Sequence, residues 1–147
     1  MTLADRVKQD LATAMKAGEK DRVSALRLVL SELQKAAKEG GGDEQAVLRR
    51  ERKRRQESAR AFRDGGRTEL ATAEEAEAEI IAGYLPAELS DEELRAIVSD
   101  AVAETGAASP KDMGLVMKAA MPRVAGRADG KRVSGLVQEA LSTVGTG

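Results

Sequence analysis

A chain of 147 residues without Cys, His or Trp has no disulfide, no thiolate metal site and no imidazole for acid–base work or metal ligation. With Phe62 and Tyr84 its only aromatic residues, its core must be built from Leu, Ile, Val, Met and Ala, which means close helix packing rather than a sheet. The net charge of −1 conceals strong segregation: residues 49–67 carry nine basic and three acidic side chains, 69–104 one basic and eleven acidic, and 105–147 six basic and three acidic.

The opening Met1-Thr2-Leu3-Ala4-Asp5-Arg6 lacks the apolar stretch of a signal peptide, and no apolar run reaches the length of a membrane span, so a cytoplasmic protein is expected. Thr2, three residues before Asp5, reads as a variant capping box, and Leu3, Val7, Leu11 and Met15 form a helical stripe ending at Gly18. A second helix, about 20–38, carries Val23, Leu26, Val29, Leu30 and Leu33 and stops at Gly40-Gly41-Gly42. Asp43 can cap a third helix to about Arg63. Its apolar positions are Val47, Leu48, Ala59, Ala61 and Phe62, and its polar middle, Arg49 to Arg55, is expected to bury little. Thr68 can cap a fourth, with Leu70, Ala73, Ile80, Ile81 and Tyr84 on a common side before Leu85-Pro86.

Ser90-Asp91-Glu92-Glu93 is a capping box, flanked by Leu89 and Leu94 at staple positions, and opens a helix through Ile97, Val98, Ala101 and Val102 to Gly106. Ser109-Pro110 starts the next, with Met113, Val116, Met117, Ala120 and Met121 along it. Asp129 can cap the last, bearing Val133, Leu136, Val137, Ala140 and Leu141, and the tail Gly145-Thr146-Gly147 is expected to fray. The pattern predicts an all-α protein of two helical bundles: about four helices in residues 1–88 and three shorter ones in 89–147.

No catalytic constellation emerges, and no metal or cofactor is called for. Glu74, Glu75, Glu77 and Glu79 form a surface-type run, able also to dock beside the basic third helix. The serines have no His to activate them, and Gly126-Arg127-Ala128-Asp129-Gly130-Lys131 lacks the spacing and preceding strand of a nucleotide loop. Binding is the better reading. The candidate phosphate contacts are Arg52, Lys53 and Arg55 on the third helix, and Lys111, Lys118, Arg123, Arg127, Lys131 and Arg132 around the C-terminal turns. Solvated surface or intramolecular pairing is the alternative for each. With no aromatic interleaved, contact would be to nucleic-acid backbone, not stacked bases. Met113, Met117 and Met121, four residues apart, read as core or as an adaptable interface.

Tyr84-Leu85-Pro86, Leu89-Ser90-Asp91-Glu92-Glu93-Leu94, Lys111-Asp112-Met113-Gly114, Met121-Pro122 and Gly126 to Lys131, in this order, resemble the GatB/YqeY family. Ser58, Phe62, Gly66-Arg67 and Glu69-Leu70-Ala71 extend the resemblance upstream, over almost the whole chain. The resemblance implies two helical bundles, the second akin to the tRNA-contacting tail of the B subunit of glutamine-dependent amidotransferase, without that enzyme's catalytic parts. One departure is Leu115, where proteins of this family commonly carry Lys after Asp-Met-Gly. The expectation is a non-catalytic tRNA-binding protein, with the amidotransferase or another translation-related protein as a further partner. The alternatives are a protein–protein adaptor using the Arg-rich helix and an accessory component of a carbon–nitrogen ligase with glutamine as amide donor.

Overall fold

A computed structural model describes residues 1–40 and 43–144; the predicted linker positions Gly41 and Gly42 and the Gly145-Thr146-Gly147 tail lie outside the described residues. The described residues form seven α-helices: α1 (Leu3–Ala17), α2 (Lys20–Lys38), α3 (Glu44–Asp64), α4 (Thr68–Ala82), α5 (Asp91–Thr105), α6 (Met113–Val124) and α7 (Gly130–Val144). A 3-10 turn, Pro110–Asp112, precedes α6, and no strand occurs among the described residues. The fold is all-helical, in two compact units, Met1–Pro86 and Ala87–Gly147.

In the first unit, the α1 capping box forms: Thr2 Oγ1 accepts the Asp5 N–H and Asp5 Oδ2 the Thr2 N–H, each at 3.1 Å. Glu44, in the first turn of α3, accepts the N–H groups of Leu3 (3.1 Å) and Ala4 (3.0 Å). A carboxylate from another helix thus sits at the positive end of α1, satisfying donors that have no partner within it. Val7 and Ala14 of α1 pack with Leu26, Val29 and Leu33 of α2, Val47 and Leu48 of α3, and Ile81 and Tyr84 at the end of α4. Each fully buried Leu, Ile or Val contributes roughly 1.5–3 kcal/mol. Met15, placed on the α1 stripe by its spacing, is exposed, because Ala14 takes the inward position. The Tyr84 hydroxyl donates to Asp10 Oδ2, and the Arg6 guanidinium lies 5.3 Å from the Tyr84 ring centroid, fastening the turn that follows α4 to α1.

The fourth helix differs from its predicted face. Ala71, Ala78 and Ile81 are buried, whereas Leu70 and Ala73 are exposed. Alanines at 71 and 78 permit close approach to α3, and that approach turns Leu70, one residue out of phase, to solvent. Thr68 is the first residue of α4; its N-cap is Arg67, which makes no side-chain capping bond.

In the second unit, Ser90 Oγ accepts the Glu93 N–H (3.1 Å) and Glu93 Oε1 the Ser90 N–H (3.0 Å). Leu89 and Leu94 are buried in one core with Val98, Val116, Ala120, Val124, Val133, Val137 and Leu141. The methionines are peripheral: Met113 and Met117 are half-buried against this core and Met121 is exposed, since Val116, Ala120 and Val124 occupy the inner face of α6. Pro122 lies within the final turn of α6, which ends in two left-handed residues, Ala125 (φ 50°) and Gly126 (φ 76°).

Candidate nucleic-acid interface

The basic α3 is in large part neutralised from within. Its inward face runs Val47, Leu48, Glu51, Arg55 and Ala59, at three- and four-residue spacing, so two charged side chains occupy core positions. Glu51 is 5% and Arg55 8% exposed. Arg55 Nη1 donates to Glu51 Oε2 at 2.7 Å and to the Glu51 carbonyl at 3.2 Å, while its Nε donates to Glu77 Oε2 on α4 at 3.3 Å. Arg54 Nη1 donates to Glu51 Oε1 at 2.9 Å. Further out, Arg63 donates twice to Glu75, at 2.6 and 2.8 Å. Arg49 lies 3.8 Å from Asp43.

The acidic run of α4 therefore meets the basic α3, as its charge allowed. The carboxyls respond accordingly. The Arg63 hydrogen bonds hold Glu75 below the usual carboxylate range, whereas burial and then the neighbouring Glu77 push Glu74 up. Of the α3 candidates, Arg55 is not a surface cation but a buried seam residue whose guanidinium is held by Glu51 and Glu77. Lys53 is exposed and Arg52 half-buried.

In the C-terminal unit the motif arginines have internal work. The Leu89 N–H donates to the Arg127 carbonyl and Arg127 Nε donates to the Ala87 carbonyl, both at 2.8 Å. Arg132 Nη2 donates to Asp91 Oδ1 at 2.7 Å, which lowers the Asp91 pKa. The segment leading into α5 is thereby tied to the α6–α7 turn, joining two stretches that stand far apart in sequence. Arg123 pairs with Glu104, which raises the Arg123 pKa.

The Gly126 turn is not an open cradle of backbone donors. The Ala125 N–H goes to the Met121 carbonyl, the Arg127 N–H to the Val124 carbonyl, and the Lys131 N–H to Asp129 Oδ1. Asp129 itself occupies the position an anion would take at the N-terminus of α7.

In the C-terminal unit three candidate side chains, Lys111, Lys118 and Lys131, make no hydrogen bond or ion pair among the described residues and all are exposed, as is Lys53 on α3. Lys111 and Lys118 flank the outer face of α6, a helix whose sequence contains no acidic residue. Leu115, 51% exposed, lies between them. Among the described residues no cluster of acidic side chains could hold a metal ion, no buried side-chain polar atom lacks a partner, and no helix is long and apolar enough to cross a membrane.

The fold and this surface define an all-helical, two-unit protein whose charged motifs mostly tie helices together, leaving a few exposed lysines. A family model described as Yqey-like protein matches residues 4–141, and the chain belongs to that family. Comparison with curated proteins gives no match.

Proposed function

We propose that this chain is an RNA-binding protein without intrinsic catalysis, and that its ligand is of the tRNA class. The carrying observation is that Lys111, Lys118 and Lys131 stand exposed and unpaired in the C-terminal unit, on elements where Arg123, Arg127 and Arg132 are already engaged. Unpaired lysines retain their full attraction for phosphate, whereas an arginine held by a carboxylate must first break that bond. The resemblance of the C-terminal motifs to the amidotransferase tail supports tRNA as the class and a place beside that enzyme, in the cytoplasm. The adaptor reading, which relied on the Arg-rich helix, loses weight because Arg49, Arg54, Arg55 and Arg63 find carboxylates within the chain.

The test is binding of bulk tRNA to the full chain across a salt series. The observed constant should fall steeply with salt, and each of Lys111→Ala, Lys118→Ala and Lys131→Ala should flatten the logarithmic slope by about one. Weak, salt-independent binding that ignores all three substitutions would refute the proposal.

A further inference from the structure

The C-terminal unit has a second surface, unrelated to its lysines. Arg132, near the start of α7, pairs with Asp91, the first residue of α5, so the two helices begin side by side. Their later halves, from Arg95 to Ala103 on α5 and from Leu136 to Val144 on α7, line one groove of 470 Å³. The helices therefore run in the same direction, and the groove extends about 12 Å along them, eight residues of helical rise. Because α6 packs against both helices, the groove opens on the side that α6 does not cover.

Its floor is apolar, formed by Val102, Leu136, Ala140 and Val144, and Val144 is 44% exposed at its end. Its two charged side chains are of opposite sign and stand on opposite walls, Arg95 on α5 and Glu139 on α7. They do not pair with each other, and neither side chain forms an ion pair within the described residues, although Arg95 is close enough to Asp91 to help lower that group's pKa.

We propose that this groove is the contact surface for a second copy of the chain, packed about a twofold axis. A rim of one sign would ask for a partner of the other sign. One cation and one anion on facing walls form a self-complementary set: a twofold axis running along the helices sets α5 of each copy against α7 of the other and brings Arg95 to Glu139, while the apolar floors close on one another. Two parallel helices from each copy then make a four-helix contact. A groove of this extent belongs to the class of small, reversible interfaces that bury less than about 1,200 Å². The dimer is thus a concentration-dependent one, and it stands independently of the RNA reading.

Sedimentation equilibrium of the full chain, freed of nucleic acid and run at low salt, tests it. The weight-average mass should rise from 15.6 kDa toward twice that value with concentration. Arg95→Glu alone and Glu139→Arg alone should each remain monomeric, and Arg95→Glu with Glu139→Arg should associate again, since the exchanged pair has the same complementarity. Val144→Asp, at an exposed helix end, should also abolish association. A monomer at every concentration, a dimer that survives either single reversal or Val144→Asp, or a double variant that fails to reassociate would overturn the proposal.

Discussion

Arg55 and Glu51 stand one turn apart on the inward face of α3, joined by a 2.7 Å charge-assisted hydrogen bond at positions where a helix ordinarily places leucine. Removing one partner leaves the other charged and buried. Arg55→Met is therefore expected to cost about 3–5 kcal/mol. Glu51→Leu combined with Arg55→Met should recover most of that loss, because the remaining partners, Arg54 and Glu77, have access to water. Urea denaturation followed by circular dichroism compares the three proteins. If the double variant is no more stable than Arg55→Met alone, the seam depends on its charges for stability and not only for register.

The carboxyls of α4 carry opposite pH signatures. Glu75, held low by Arg63, supports folding above the ordinary carboxylate range, and that support is lost as pH falls through its folded value. Glu74, pushed up by burial and by Glu77, opposes folding when ionised, and the penalty fades as pH falls through its own raised value. Glu74→Gln should thus stabilise the chain at neutral pH by about 0.3 kcal/mol once solvent screening is allowed for. The gain should vanish at pH 3. A gain that persists there would point to packing and not to charge.

The tie between Arg127 and the Ala87–Leu89 segment separates structural from binding roles. Arg127→Ala should speed hydrogen exchange at the Leu89 amide, whose acceptor is the Arg127 carbonyl in the same turn. Lys131→Ala, whose side chain has no such bond, should leave that exchange unchanged while weakening RNA binding. Equal exchange in the two variants would show that the guanidinium does not hold the turn.

Leu115 provides a gain-of-function test. It is half-exposed on the outer face of α6, between Lys111 and Lys118, so Leu115→Lys should alter stability by no more than about 0.5 kcal/mol. The added cation should steepen the salt dependence of tRNA binding by about one unit of logarithmic slope. An unchanged slope would place the RNA on another face.

Ser90 reports on the capping box. Ser90→Ala removes the acceptor of the Glu93 N–H and should cost about 1 kcal/mol, with exchange at Glu93 accelerated. Thr2→Ala should act similarly on α1, where the same reciprocal pair forms.

Local signals in the sequence located the helices well, because caps and stops are short-range chemistry. Thr2, Asp43 and Ser90 cap as their side chains imply, and Gly18 and Gly106 end helices at positive φ. What periodicity could not reveal was which face wins when small and large residues compete. Ala14 went inward in place of Met15, and Ala71 in place of Leu70, because close helix approach favours the smaller side chain at the crossing. Nor could a run of seven polar residues disclose that Glu51 and Arg55 are core residues, since their burial depends on Glu77, twenty-two residues beyond Arg55. The same blindness affects the candidate site. Arg52, Lys53 and Arg55 look alike in sequence, yet only the fold shows that Arg55 is sealed between α3 and α4.

Tyr84 is the only tyrosine, there is no tryptophan, and the C-terminal unit contains no aromatic residue at all. The Tyr84 phenol is bonded to the Asp10 carboxylate, an arrangement that quenches emission and that exists only while the segment following α4 is held against α1. Intrinsic fluorescence is therefore a single-site optical gauge of the N-terminal unit, brightening when that contact opens. Circular dichroism, by contrast, sums helices from both units. Any gap between the two melting curves would measure, without a label, whether one unit can come apart while the other stays folded.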